Sequence, residues 1–292
     1  MKKRSPSKSF LMAGGLGNQL FIFTAGTYYA LQNGEKVSFD FSRYTKRNKT
    51  HTSDIRSLNP EAVFHYRPLR CFFKAELNKI SNRGIFPTYT SSSVGFDPSL
   101  ENHILENEIF GFFQTYKYLE HPKVRSIISS LSLGSVSEWF EKCSLEMLES
   151  STISVHIRRG DYMNLQESFG VLSSDYYNSA INFTLENSST QYSRILVFSD
   201  DIVLAKQLFS KLEFPLPVQF SESPNDSPEE TLLLMSQSDA LVISNSSFSW
   251  WAAQLGNKNK FVVRPSKWFR GMLDPEDLFP PEWHKQESRW ET

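Results

Sequence analysis

The chain has 292 residues, of which 39% are hydrophobic and 22% charged, with a formal net charge of −1. This composition can bury the core of one large domain or two ordinary ones and is not that of a disordered chain. The neutral balance gives no reason to expect a nucleic-acid partner. Two cysteines favour a reducing compartment. No apolar run is long enough to cross a bilayer, so we expect a cytoplasmic protein with at most peripheral contact at the inner face of the membrane.

The N-terminal segment predicts a strand, a glycine loop, a helix that ends at Gly34, and a second strand. In the loop "GGLGNQ", glycines would let backbone N–H groups approach an anion at the helix start, where Asn18 could also bind polar groups. The spacing matches neither the dinucleotide fingerprint nor the phosphate-binding P-loop. A tight strand-to-helix turn is the alternative interpretation.

The region from about residue 45 to residue 116 is aromatic and irregular in pattern. Its basic part, 43–70, is either a solvated loop or a surface for an anionic ligand or membrane. Several aromatic side chains suit stacking on sugar faces, although core packing is the alternative; they are Phe64, Tyr66, Phe72, Phe73, Phe86 and Tyr89.

The second half alternates regularly between strands and helices. Strands are predicted at 152–157, 194–200, 217–220, 239–244 and 260–265, and helices at 174–187, 201–209, 227–237 and 247–256. This alternation predicts a parallel sheet covered on both faces. We therefore expect an α/β protein with two Rossmann-like domains facing a cleft, the boundary falling between 1–150 and 151–292.

Two helix starts carry specific capping predictions. Ser174 is predicted to cap the helix at 174–187. Ser227, with Pro228 after it and Glu230 three residues on, predicts a capping box in which each side chain binds the other residue's backbone N–H.

The stretch "SVHIRRGDY" runs a strand pattern into two arginines, and neighbours on a strand face opposite sides. We expect Arg158 to leave the strand end and hold a phosphate, since a guanidinium binds phosphate oxygens in pairs. Arg159 should face the other way and be structural. The alternative role for one arginine is an ion pair with Asp161. The "RGD" tripeptide is an adhesion motif, but a strand end is a poor place for the flexible loop that adhesion requires.

The stretch "SNSSFSWW" places hydroxyls and the amide of Asn245 at a predicted helix start. Ser246 or Ser247 could simply cap the helix. The surplus of polar groups predicts a bound anion. No D-x-D pair is present to hold a metal, because Asp200 and Asp201 are adjacent. The sequence therefore predicts a diphosphate site in which an arginine replaces a metal ion.

Five blocks occur in the order of one family: "GGLGNQLF", "HIRRGDY", "FSDD", "SNSSFSWWAAQLG" and "VVRPSKWF". In them the sequence resembles the bacterial α-1,2-fucosyltransferases of glycosyltransferase family 11. The resemblance implies a GT-B fold and metal-independent, inverting transfer of fucose from GDP-fucose to a galactose-terminated glycan, as in surface polysaccharides.

The resemblance also implies roles for single residues. Arg158 would neutralise the β-phosphate, and Asn18 and Asp161 complete the predicted catalytic set, with the general base left open among Asp161, His156 and Asn18. The predicted donor-binding set is Gly15, Gly17, His156, Arg158, Asp200, Asp239, Asn245, Ser246, Ser247 and Phe248. In it, His156 and Asp239 would recognise guanine or ribose. The alternatives are another nucleotide sugar, another fucosyl linkage, or a non-catalytic protein that binds glycans or a receptor.

Overall fold

The computed structural model describes residues 8–41, 55–58, 64–65, 88–224, 227–257 and 259–291. The chain divides into two compact units. The first comprises Met1–Gly134 with Pro275–Phe279, and the second Ser135–Asp274 with Pro280–Thr292. Among the described helices, none has the length and apolar character to cross a bilayer.

The first unit is built on a parallel sheet. Its elements are β1 (Lys8–Leu11), α1 (Leu16–Asn33), β2 (Val37–Asp40), β3 (Phe64–His65), β4 (Thr88–Thr90), β5 (Glu108–Phe110) and α2 (Pro122–Ser129). The strand order is β3-β2-β1-β5-β4, and each neighbouring pair runs parallel. The predicted strand–loop–helix–strand start is confirmed, including the end of α1 at Gly34, which has a φ of 62°.

The second unit holds the larger sheet. Its strands are β6 (Thr152–Ile157), β7 (Arg194–Ser199), β8 (Val218–Phe220), β9 (Ala240–Val242), β10 (Phe261–Pro265) and β11 (His284–Gln286). Its helices are α3 (Glu138–Glu149), α4 (Ser174–Asn187), α5 (Ile202–Phe209), α6 (Pro228–Ser236) and α7 (Ser247–Gln254). All neighbouring strands are parallel, in the order β11-β10-β9-β6-β7-β8.

This order fixes where a ligand is expected. Counted within the second unit, it reads 6-5-4-1-2-3, the Rossmann arrangement, and the direction of winding changes between β6 and β9. All six residues of β6 are buried, as expected for a central strand covered on both faces. The α/β, GT-B-type fold predicted from the sequence is confirmed.

The observed division differs from the predicted boundary after residue 150. The helix α3 belongs to the second unit, where Glu230, at the start of α6, accepts hydrogen bonds from the backbone N and the Oγ of Ser137, at 2.6 and 2.7 Å. A helix that precedes the first strand of a sheet carries no sequence signal of which unit it packs on. The return of 275–279 to the first unit was likewise not predicted.

The capping predictions are confirmed only in part. Ser173, rather than Ser174, is the N-cap of α4, and its side chain makes no capping hydrogen bond. Ser227 Oγ does accept from Glu230 N, at 3.3 Å. The reciprocal half of the capping box was predicted wrongly, because the Glu230 carboxylate binds Ser137 instead.

Candidate functional site

The candidate site lies at the carboxyl edge of the second sheet, where the winding changes direction. Arg158 directly follows β6, and residues 243–246 connect β9 to α7. Loops at this position form the ligand crevice of doubly wound sheets, because the chain leaves the two strands toward opposite faces.

The guanidinium of Arg158 is held at this edge by two carboxylates. Its Nη1 lies 3.1 Å from Asp200 Oδ2, and its Nη2 lies 2.5 Å from Asp161 Oδ1. One quarter of the Arg158 side chain is exposed, against about half of Asp161. An anion entering the site would therefore meet a fixed cation whose more exposed partner, Asp161, is the easier one to displace.

Asp200 holds both the Arg158 side chain and the backbone that follows β6. Its Oδ1 accepts from the backbone N of Arg159 at 2.8 Å. Burial raises the pKa of Asp200, and the charge of Arg158 opposes that rise. A Cβ at Gly160 would lie 2.3 Å from Asp200 Oδ2, so a larger residue there would displace the carboxylate that holds Arg158.

Tyr162 also supports Arg158, although it was not among the predicted site residues. The Arg158 guanidinium carbon lies 5.3 Å from the centre of the Tyr162 ring, within the range of a cation–π contact. The Tyr162 hydroxyl donates to the backbone oxygen of Asn245 at 3.1 Å. Tyr162 thus connects the loop after β6 to the loop after β9. In the sequence, the one signal for this role was the position of Tyr162 directly after "RRGD".

Arg159 faces away from Arg158, as the strand alternation predicted. Only 3% of its side chain is exposed, and its Nη2 lies 2.8 Å from Glu291 Oε1. An "RGD" motif whose arginine is buried cannot offer that side chain to a receptor. The receptor-binding alternative is therefore wrong for this motif.

His156 is buried in β6, two residues before Arg158. Its Nδ1 lies 2.8 Å from Ser244 Oγ, and its ring packs against Phe248 at 5.5 Å. Burial, assisted by the charge of Arg158, lowers the pKa of His156 to about 3. The imidazole is therefore neutral at physiological pH and too weak a base to be the first choice for proton abstraction.

The start of α7 provides the other side of the site. Ser246 is the N-cap, with its Oγ 3.4 Å from Phe248 N. Ser247 and Phe248 are partly exposed there, whereas Trp250 and Trp251 are fully buried. A helix start with an accessible serine favours a bound anion.

Asn245 does not have the side-chain role that was predicted for it. Its Nδ2 donates to three backbone oxygens, those of Phe169, Gly170 and Trp268, at 2.8 to 3.2 Å. The residue is 2% exposed. Asn245 therefore ties together the loops that form the carboxyl edge, and its amide nitrogen is committed to that task.

Asp239 is not brought together with the other predicted residues. Its Oδ2 accepts from the backbone N of Thr152, the first residue of β6. Arg158 lies at the other end of this strand, roughly 20 Å away at the rise of a parallel strand. Asp239 precedes β9 and so lies at the amino edge of the sheet, which does not fit the predicted contact with guanine or ribose.

The glycine loop of the first unit has a specific geometry. Gly14 has a φ of 73°, and a Cβ there would lie 2.5 Å from Asn18 Nδ2, so the turn requires glycine. No side chain caps α1 at Gly15. Asn18 Oδ1 accepts from Gln114 Nε2 at 2.9 Å. Gly15, Gly17 and Asn18 thus lie at an uncapped helix start, and their meeting with Arg158 across a cleft stays a prediction.

The predicted sugar-stacking region lies mostly outside the described residues. The described Tyr89 donates its hydroxyl to Asp97 Oδ2 at 2.7 Å, a structural contact. No side-chain description covers Phe64, Tyr66, Phe72, Phe73 or Phe86. Of the basic segment, Arg56 is described, and its guanidinium lies 4.8 Å from the centre of the Phe41 ring.

In the described part of the chain, no three His, Cys, Asp or Glu side chains are grouped as a metal site would require. The acidic pair beside Arg158, Asp161 and Asp200, is instead engaged with its guanidinium.

The chain matches known proteins over most of its length. The model of glycosyl transferase family 11 matches residues 105–287, more than half of the chain. An α-1,2-colitosyltransferase of Escherichia coli is 29% identical, with 95% of this chain and 98% of that protein covered. The O-antigen biosynthesis glycosyltransferase WbnK of Escherichia coli is 29% identical, covering 89% and 94%. A galactoside 2-α-L-fucosyltransferase of Caenorhabditis elegans is 24% identical, covering 94% and 74%.

Solved structures support the fold. The NodZ α-1,6-fucosyltransferase soaked with GDP-fucose superposes with a TM-score of 0.52 at 13% identity, covering 86% of this chain and 93% of that one. The same enzyme crystallised with GDP gives a TM-score of 0.51 at 14% identity, covering 85% and 92%.

Proposed function

Because the chain belongs to glycosyl transferase family 11 and is a glycosyltransferase, we propose that it is an inverting α-1,2-fucosyltransferase. It moves L-fucose from GDP-β-L-fucose to the 2-hydroxyl of a galactoside. The acceptor is the galactose end of a surface polysaccharide or oligosaccharide. The observation that carries this proposal is Arg158, a fixed cation at the switch point between β6 and β9.

The donor diphosphate would lie between Arg158 and the start of α7. In this position Arg158 replaces its contact with Asp161 by contacts to phosphate oxygens, and Ser247 adds a hydroxyl. Asp200 keeps its own contact, so the guanidinium is not free to turn away. His156 and Phe248 would line the nucleoside side. The same NodZ structure that shares this fold was soaked with GDP-fucose, which supports a GDP-sugar donor.

Catalysis would follow from charge. As the bond between fucose and phosphate breaks, negative charge grows on the departing GDP, and the sugar becomes positive. Arg158 and the helix dipole stabilise the departing charge more in the transition state than in the bound donor. The acceptor hydroxyl attacks the opposite face of the sugar, which inverts its configuration. No metal ion is needed in this scheme.

The base that accepts the proton of the acceptor hydroxyl is sought among His156, Asp161 and Asn18. His156 is disfavoured, because burial lowers its pKa to about 3. Asp161 becomes available once phosphate takes its place on Arg158. Asn18 would orient the acceptor or the sugar rather than abstract a proton, since an amide is not basic.

The test is a donor panel with a fixed acceptor, followed by linkage analysis. GDP-fucose with a β-galactoside should give an α-1,2-linked product, and UDP-linked and ADP-linked sugars should give none. Transfer from a UDP-sugar in place of GDP-fucose would overturn the donor assignment. A product linked through another galactose hydroxyl would overturn the linkage alone.

A second candidate is transfer of colitose, the 3-deoxy counterpart of fucose, through the same site. The observation in its favour is the 29% identity to an α-1,2-colitosyltransferase over nearly the whole chain. Comparing GDP-colitose with GDP-fucose in kcat/KM decides between them. A site that donates a hydrogen bond to the 3-hydroxyl would prefer fucose strongly, since a buried polar group left without a partner is costly.

The setting of the reaction is proposed from the relatives. The name of WbnK, an O-antigen biosynthesis glycosyltransferase, supports a role in surface polysaccharide assembly. We place the reaction on the cytoplasmic side of the membrane, with peripheral contact at most. Fractionation of cells into cytosol and membranes, before and after a high-salt wash, tests this placement.

A further inference from the structure

A cavity lies beside Arg159, on the side of the β6 end that Arg158 does not face. Its volume is about 420 Å³. It is lined by residues of α4, α5 and the segments next to them in the second unit, including Arg159, Met163, Ser174, Leu204, Lys211 and Glu291. None of these residues takes part in the proposed transfer reaction.

The guanidinium of Arg159 is buried but poorly satisfied. Its side chain is 3% exposed, and its Nη2 lies 2.8 Å from Glu291 Oε1. Within the described residues, neither Nη1 nor Nη2 makes a hydrogen bond of good geometry, so the contact to Glu291 is an ion pair only. A buried charged group with open donors costs free energy until an acceptor reaches it. The guanidinium fork therefore has room for an oxyanion.

Two further groups favour an anion in the same cavity. Ser174 is the first residue of α4, a helix of 14 residues with no side-chain cap, and its start carries partial positive charge. Lys211 lines the cavity and is exposed. With Glu291 counted, the charged side chains named here sum to +1.

The rest of the lining combines the polar residues Gln207 and Ser210 with three aliphatic side chains. Met163, Leu204 and Leu208 line the cavity together with the charged groups. The volume of about 420 Å³ far exceeds that of an inorganic phosphate. The lining thus suits a small molecule with an anionic end and a compact body that packs on aliphatic side chains.

We infer that this cavity binds a small organic phosphate, with its phosphate on Arg159 and Lys211 and its body against Met163, Leu204 and Leu208. Phosphate oxygens complete the open donors of the Arg159 fork, while Glu291 keeps one edge of the guanidinium. The site is separate from the donor site, because Arg158 and Arg159 face opposite sides of the strand end.

The test is methyl NMR of the full-length protein labelled at its methionine methyl groups, titrated with phenyl phosphate. The chain has 6 methionines, and Met163→Leu identifies the reporter signal. Phenyl phosphate should shift the Met163 signal in a saturable way, and benzyl alcohol, which lacks the charge, should not. Lys211→Met should weaken the apparent affinity by about tenfold or more, the loss expected for one charge-assisted contact.

A matched control separates this cavity from the donor site. Arg158→Met should leave the Met163 titration unchanged, although phenyl phosphate can also occupy the donor site of the unaltered protein. Equal affinity in Lys211→Met and the unaltered protein would overturn the inference. So would a Met163 response that disappears in Arg158→Met, or no response at all. Because the readout is binding, failure here leaves the proposed transfer reaction untouched.

Discussion

At the scale of single residues, Arg158 is the side chain on which the proposed reaction depends most. Arg158→Ala should lower kcat by about 10²–10³, the usual cost of losing a group that stabilises transition-state charge. Arg158→Lys should be nearly as damaging, because lysine keeps the charge but cannot contact Asp200 and two phosphate oxygens at once. Initial rates with saturating donor and acceptor measure both effects.

The control for this prediction is the neighbouring arginine. Arg159→Ala should reduce thermal stability, since it leaves Glu291 without its partner and removes a buried side chain. Its effect on kcat should be small in the protein that remains folded. An Arg158 variant with normal turnover, beside a stable but inactive Arg159 variant, would reverse the assignment.

Tyr162 is predicted to act through Arg158. Tyr162→Leu removes the ring under the guanidinium and should lower kcat by up to about tenfold, since a partly exposed cation–π contact contributes about 1 kcal/mol. Tyr162→Phe keeps the ring and should retain kcat while losing the hydrogen bond to Asn245. Equal kcat values for the two variants, at equal thermal stability, would argue against a positioning role.

His156 gives a pH dependence of stability with a defined sign. In the folded protein its pKa is about 3, against 6.5 in the unfolded chain. Below pH 6.5 the unfolded chain therefore takes up a proton that the folded protein does not, and the free energy of unfolding falls as the pH falls toward 3. His156→Gln removes this dependence. In urea unfolding, the free energy of unfolding of the unaltered protein, measured relative to that of His156→Gln, should fall by about 1 kcal/mol from pH 6 to pH 5.

If the free energies of unfolding of the two proteins differ by the same amount over this pH range, His156 is protonated in the folded protein too. In that case its contact with Ser244 would have to be one in which the imidazolium donates.

At the scale of elements, Glu230 connects α6 to the start of α3. Glu230→Ala removes the acceptor of Ser137 N and Oγ and should lower the free energy of unfolding by about 2–3 kcal/mol, as for a lost charge-assisted pair. Glu138→Ala, an exposed change on the first turn of α3, is the matched control and should cost about 0.5 kcal/mol or less. Urea unfolding curves measure both, and equal losses would contradict this role.

Most elements of the second sheet were predictable, because strands and helices alternate there with clear starts and ends. Its last strand, β11, was missed: three residues at a sheet edge carry almost no periodic signal. The direction of β9 alone could have corrected the role predicted for Asp239, since a residue just before a parallel strand lies at the amino edge of the sheet. The bonds of Asn245 to two other loops could not be read from sequence, because those loops are far apart along the chain.

At the scale of the whole molecule, the proposed reaction should not require a metal ion. Transfer activity should survive dialysis against EDTA, because Arg158 supplies the positive charge that a metal would otherwise bring to the diphosphate. The measurement is the rate before and after chelation, with a known metal-dependent glycosyltransferase treated in parallel. Complete loss of activity that Mn²⁺ restores would contradict the proposal.

The return of 275–279 to the first unit has a consequence for how the protein is made. Asp277 accepts from Phe96 N at 3.1 Å, across 181 positions of sequence, and its backbone oxygen accepts from Tyr116 N at 3.2 Å. On the ribosome, residues 88–134 therefore emerge long before the segment that completes them. The first unit therefore reaches its final form only after residues 275–279 have been made, when most of the second unit has already been translated.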